Sequence, residues 1–546
     1  MDTFLTNYWS LYVEFLQDFE KLNYKGFSLP YLCHLPSLLL NNAQINNELK
    51  GARFSRNLRK QVKDEREFQA LFNKFVQVHQ RPIVKNKKGK VVIHVDKLLR
   101  FPPRTIAHYF SPSNTILLTK GKQTKSSAAK GKKSGKLLSG KKKPAKSAKP
   151  ANGRQKHAKS PSSKKKEHKG VKLKATRLES KKVLPLTKTV NLSAVKSVKT
   201  VPKKKTKKGK KSIPYYYLEN YAVDSRKAIS KMQTKAKAMF KAYDDHHFYK
   251  RSDFQKWFLN NIATVVHHIE MSRVFLSKVS VSCIIVSTTH SYRSRILAVV
   301  AAKMGIPTIC MQHGIISSEL GYIPKVATVD AVYGKFEKDW FKRMGAADKS
   351  LAIVGHPRFD QAFQQPKVDR AKFNKTLGLD SNKKTLMIAV RGDNDIAKWR
   401  TLIKTVSKKL PINIIIKNYP SKTPHALTKE FSFVKSTQDY SIYDIFPNVD
   451  AVVSYSSTVG LEAMLAQKTV FVLNENFSGY TGYYTNLGKL VQSDPRSLGE
   501  IINKVLTTSK WKSYADNKRA KFLRYAYPDL GMSGARLKNL VNKLIS

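Results

Sequence analysis

From Val281 onward the chain repeats one pattern: a short β-branched run, a polar or Gly-marked turn, then a helical stretch. Val281 to Ser287 fits a buried parallel strand, Ser291 to Met304 a helix, and Thr308 to Met311 a strand. Ala331 to Tyr333, Phe336 to Met344 and Leu351 to Val354 continue as strand, helix, strand. Strands alternating with helices at this spacing predict a parallel sheet with right-handed crossovers. The pattern breaks at Gly355-His356-Pro357-Arg358-Phe359-Asp360 and restarts with strand Thr385 to Val390. A helix near Ala397 to Lys408 and strand Ile412 to Lys417 follow, then a short strand near Phe433 and a helix near Tyr443. Strand Ala451 to Ser454, helix Thr458 to Ala466 and strand Thr469 to Leu473 complete the repeat. The fold class is therefore α/β: two Rossmann-like domains facing across a cleft, where ligands bind at the carboxyl ends of the strands.

The 546 residues allow two or three domains. Residues 1–119 mix aromatic and apolar positions at helical spacing, as in Phe15, Phe19, Leu22 and Phe68, Leu71, Phe72, Phe75. Strand-like runs follow at Val91 to Val95 and Thr115 to Thr119. They predict a helical N-terminal part leading into the first strands. Residues 120–212 are mostly Lys, Ser, Ala, Pro and Gly, with no Phe, Tyr or Trp. Such a composition buries too little apolar surface to offset its ordering entropy, so this insertion is expected to be disordered. A helical pattern from about Tyr217 to Leu276 precedes the repeat. The division expected is 213–357 for an acceptor domain and 358–546 for a donor domain with C-terminal helices.

The formal net charge is +65, and 34 of the 102 basic residues lie between Lys120 and Lys211, against Glu167 and Glu179. The remainder is still strongly basic, which points to an anionic partner: nucleotide sugar, phosphopolymer, anionic membrane or nucleic acid. The insertion resembles histone-tail-like basic segments that hold polyanions by counterion release. An anionic membrane surface suits it equally. Cys33, Cys283 and Cys310 include no CxxC spacing, so neither a disulfide framework nor a zinc site is indicated. With no secretory signal pattern and no run of eighteen apolar residues, a cytoplasmic setting is expected, at most peripheral to the inner face of the membrane.

Polar residues just after strands are the candidates for chemistry. His313 follows a buried strand and precedes Gly314, which permits a tight turn. An imidazole there suits a general base, or caps the core. Ser456, Ser457 and Thr458 open a helix, either as a diphosphate cradle or as simple N-capping. Glu462 lies four residues on, within reach of a ribose or of solvent. Lys417 and Arg391 each end an apolar strand, as cations for a donor phosphate. His290, His356 and Arg358 complete the strand-end set. Asp393-Asn394-Asp395 is better explained by helix capping than by a divalent ion, so neither metal nor cofactor is expected.

Four stretches, G-I-P-T-I-C-M-Q-H-G-I, G-H-P-R-F-D, I-K-N-Y-P and S-Y-S-S-T-V-G-L-E-A, resemble the GT-B glycosyltransferases of bacterial surface polymers. The likeness is to the CDP-glycerol glycerophosphotransferase and capsule-polysaccharide group, over roughly residues 280 to 475. It implies a CDP- or UDP-linked donor and a polysaccharide or polyol-phosphate acceptor. It also implies His313 as catalytic base, with Ser456, Ser457, Thr458 and Glu462 on the donor. Lys417-Asn418-Tyr419-Pro420 stands where that group often has K-x-H-P. Two other functions compete: a sugar-nucleotide epimerase or hydrolase on the same fold, and a degenerate polyanion-binding protein acting through the insertion.

Overall fold

Seven strands make the first sheet of the computed structural model: β1 (Lys90–His94), β2 (Thr115–Thr119), β3 (Tyr215–Tyr217), β4 (Val281–Val286), β5 (Thr308–Met311), β6 (Val329–Val332) and β7 (Leu351–Ile353). Their spatial order is β3-β2-β1-β4-β5-β6-β7, parallel throughout. Six strands make the second: β8 (Lys384–Val390), β9 (Ile412–Asn418), β10 (Val434–Ser436), β11 (Ala451–Ser454), β12 (Thr469–Leu473) and β13 (Val491–Gln492). Their order is β10-β9-β8-β11-β12-β13, again all parallel. The structure describes residues 1–120, 212–419, 421, 423–475, 477–527 and 531–546. The Lys-rich segment expected to be disordered lies outside them at 121–211.

Parallel sheets are covered on both faces, which is why these strands read as unbroken apolar runs rather than alternating ones. Every residue of Val-Ser-Cys-Ile-Ile-Val in β4 is buried. Successive side chains go to opposite layers: Val92, Ile284 and Val286 join one core, and Val91, Ile93, Cys283 and Ile285 another. The first layer is closed by helices Thr3–Asp18, Glu65–His79, Ser252–Lys278 and Tyr292–Lys303, so the N-terminal helical part belongs to this domain. Short polar residues start the helices by capping. Ser291 accepts from Ser294 N, and Asp494 from Ser497 N, ahead of a proline that needs no donor.

The structure amends two sequence expectations. The helical stretch expected from Tyr217 begins instead with β3, whose Tyr-Tyr-Tyr pairs with Leu117–Thr119 of β2. Helices Arg226–Ala242 and Ser252–Lys278 follow. The last helix, Ser533–Ile545, assigned with the second domain, packs Leu537 and Val541 on the first sheet among Ile93, Ile285 and Ile309. An amphipathic helix settles on whichever apolar face lacks a cover, and sequence position does not decide which.

Helix Lys335–Arg343 meets helix Ser509–Ala526 at Gly334, where an added Cβ would lie 2.2 Å from the Ala526 carbonyl oxygen. Backbone cannot give way there as a flexible side chain would. Gly334→Ala is expected to cost about 2 kcal/mol or more through overpacking. Gly321→Ala, with open space around the added carbon, should change little. Thermal unfolding midpoints of the two variants check the contrast.

Candidate functional site

Chain order reverses between β1 and β4 in the first sheet and between β8 and β11 in the second. At such a point the loops that leave neighbouring strands turn to opposite faces, which is where open α/β sheets bind ligands. After β1, Asp96 Oδ1 accepts from Leu98 N (2.8 Å) and Leu99 N (3.0 Å), while Oδ2 accepts from Ser287 Oγ (2.5 Å). This one carboxylate joins the loops after β1 and β4. Arg100 follows, exposed, with φ +48°.

His313 leaves β5 in a loop pinned by Gln312. The Gln312 amide donates to Gly314 O (2.7 Å) and Glu337 Oε1 (3.2 Å), and its oxygen accepts from Tyr333 N (3.0 Å). The His313 ring stacks on Tyr322 at 4.9 Å with 8° between planes. Tyr322 O–H donates to Ile315 O (3.0 Å), and Ile315 N donates to Thr458 Oγ1 (3.2 Å) in the second domain. An added Cβ on Gly314 would come within 3.2 Å of both Thr458 Oγ1 and the Tyr322 hydroxyl, so a glycine lets the loop approach the opposite helix. Burial first, and the Arg100 charge second, lower the His313 pKa to about 4, while Asp96 opposes them. The ring is a neutral proton acceptor at pH 7.

Behind His313 lies a cavity of about 20 Å³, room for about one water, lined in part by Thr288, Thr289, His290 and Asp330. The buried His290 Nε2 has no hydrogen-bond partner. His356, also buried, accepts from Arg358 N at Nδ1 (3.1 Å). Burial drives the pKa of both rings well down.

On the second side the strand-end residues take several roles. Ser457 caps helix Thr458–Leu465. Ser456 Oγ donates to Asn474 Oδ1 (2.8 Å). Glu462 does not reach toward a ribose or solvent: it is 2 % exposed, paired with Arg358 NH2 (2.5 Å) and accepting from Tyr443 O–H (2.6 Å). Lys417 does not present its ammonium to the cleft either. Its Nζ donates to the carbonyls of Thr437 (3.0 Å), Gln438 (3.0 Å) and Tyr440 (2.6 Å), which uses all three protons to shape that loop. Arg391 is exposed, and its charge opposes in part the burial and the Asp395 contact that raise the Glu475 pKa. The structure thus brings His313, Gly314 and Thr458 together and gathers His290, His356 and Arg358 behind them, but turns Lys417 and Glu462 to internal partners. Sequence reading missed Asp96, Arg100, Tyr322 and Tyr443. The first two carry a signal, since they follow the Val91 to Val95 run as His313 follows its own strand.

Burial lowers the pKa of His34 to about 3, of His79, His247, His268 and His313 to about 4, and of His94, His290 and His356 in the same direction. Unfolded imidazoles bind protons near pH 6.5. Below that pH the unfolded chain therefore holds more protons than the folded one, and stability falls as pH drops from about 6.5 toward about 4. The melting temperature should be steady above pH 7 and decline steeply between pH 6.5 and 5; a flat profile would show that these rings are solvated.

No family model matches the chain, and no curated protein does. Among solved structures it is similar to the wall teichoic acid polymerase TagF, with 13% identity, a TM-score of 0.35, and 54% of this chain and 76% of that one covered. It is also similar to UDP-GlcNAc 2-epimerase from Neisseria meningitidis bound to UDP-GlcNAc, with 12% identity, a TM-score of 0.39, and 52% and 80% covered. The 2-epimerase from Methanocaldococcus jannaschii gives 13%, 0.36, and 52% and 82%. With two parallel sheets, each reversing its strand order once, the chain has an α/β fold of two Rossmann-like domains.

Proposed function

We propose that this chain is a transferase that moves a glycosyl or polyol-phosphate group from a nucleotide-linked donor to an acceptor hydroxyl, with His313 as general base. The observation that carries the reading is the meeting of the His313-Gly314 loop with the start of helix Thr458–Leu465, through Ile315 N and Thr458 Oγ1 at 3.2 Å. A neutral imidazole from one domain and a helix N-terminus from the other border the same cleft. They supply a proton acceptor and a positive dipole end for a phosphate. In the reaction His313 takes the hydroxyl proton as the acceptor oxygen bonds to the transferred group. The bond from that group to the nucleotide breaks, and its electron pair leaves on the phosphate.

An acceptor-independent epimerase or hydrolase uses the same cleft, and donor turnover with and without acceptor separates the two. A binding protein without turnover is a further reading, favoured by the internal engagement of Lys417 and Glu462. No helix among the described residues is long and apolar enough to cross a membrane. The proposed membrane or polyanion tether is the segment outside them.

A panel of CDP-, UDP- and GDP-linked donors, read by thermal shift and then by turnover, tests the proposal. His313→Ala should retain donor-induced stabilisation while turnover falls by about two to four orders of magnitude. Undiminished turnover in that variant would remove His313 from the chemistry.

A further inference from the structure

A nucleotide-linked donor brings phosphates, and something cationic must meet them. Of the strand-end cations described above, Lys417 has spent its protons on three carbonyls and Arg358 is paired with Glu462. Arg391 lies in the field of Glu475, itself beside Asp395, which is poor company for an anion. Arg100 differs from all three. Among the described residues no carboxylate pairs with it, and its guanidinium instead lies 5.4 Å from the centroid of the Tyr419 ring. That contact reaches from the loop after β1 to the end of β9, across the cleft. The guanidinium is also near enough to lower the pKa of both His313 and His356.

The backbone gives independent support. Arg100 holds φ +48°, a left-handed conformation that strains any residue with a Cβ. Glycine or asparagine takes such a turn more easily. The arginine is therefore accounted for by its side chain rather than by the turn it occupies.

Building on the transferase reading, we infer that Arg100, placed over the Tyr419 ring, is the cation that takes the donor phosphates in place of Lys417. A guanidinium drawn to an aromatic face by cation–π attraction spends no N–H on that contact and keeps its donors for two parallel bonds to phosphate oxygens. Tyr419, 44 % exposed, is then a platform, which gives a role to an aromatic residue at the end of Ile-Lys-Asn-Tyr. An anion against Arg100 also cancels the charge that weakens His313 as a base. Donor arrival would thereby strengthen the group that activates the acceptor.

Titrations of the full chain with UDP and CDP, alongside uridine and cytidine, test the assignment. Arg100→Ala should weaken binding of the preferred diphosphate about tenfold to a hundredfold, the range for a charge-assisted contact, and leave the nucleoside affinity unchanged. Arg100→Lys should lose less, Tyr419→Phe little, and Tyr419→Ala several-fold. Equal diphosphate binding by Arg100→Ala and the unsubstituted protein overturns the assignment while leaving the transferase reading intact. So does a matching loss of nucleoside. Failure of the unsubstituted protein to bind either diphosphate overturns both.

Discussion

A buried guanidinium has to keep a carboxylate beside it, and here that requirement fixes the relation of the two domains. Arg358 sits on the turn that leaves the first domain, Glu462 on the helix that lines the second, and their side chains are 12 % and 2 % exposed. Removing one partner from a buried pair costs about 3–5 kcal/mol, because the other charge is left without water or counter-charge. Tyr443 completes the Glu462 oxygens. The same turn is tied at two more points: the Asp360 carboxylate accepts from Ser533 N (3.0 Å) and Gly534 N (3.1 Å), and His356 N donates to the Tyr527 hydroxyl (2.9 Å). The inter-domain connection is therefore braced rather than free to swivel. With helix Thr458–Leu465 anchored at Glu462, Thr458 arrives within a hydrogen bond of Ile315.

Buried carboxyls steady the loops around the cleft in a second way. Burial raises the pKa of Glu337 and of Glu319 to about 7. Each is held by hydrogen bonds that favour its charged form, Glu337 from Gln312 and Gly334 N, Glu319 from Trp9 Nε1 at 2.6 Å. The loop that carries His313 is thus gripped through Gln312 by one such acid, and the segment that bears Tyr322 is anchored to the N-terminal helix by the other. The N-terminal aromatic helix serves the cleft indirectly: it positions the residue on which the His313 ring lies.

The alternating apolar runs made the sheets legible. β2, β5, β11 and β12 match their expected limits because a parallel strand buried on both faces is mostly apolar, with Thr or Ser marking an end of each of these runs. The position of His313 was legible for the same reason. The fate of Lys417 was not, since its partners are carbonyls twenty and more residues away, and any residue type offers a carbonyl. Glu462 shows the same limit: its guanidinium partner lies 104 positions earlier, in a motif that reads as a turn. Arg100 follows a strand-like run, but what sets that run apart is its place at the switch point, and strand order is a property of the assembled sheet. β3, only three residues long, lacks the length that makes a run stand out.

The return of helix Ser533–Ile545 to the first sheet bears on how the chain is made. Val91, Ile93, Cys283, Ile285, Ile309 and Met311 face Leu537 and Val541. Leu99, Phe110 and Ile213 of the same domain cover part of that face, but during synthesis the rest waits until the last helix leaves the ribosome, after the whole second domain. Domains otherwise tend to fold in order of emergence. Here the first to appear is the last to be sealed, and its open apolar face is the surface through which a nascent chain would engage a chaperone or another copy of itself.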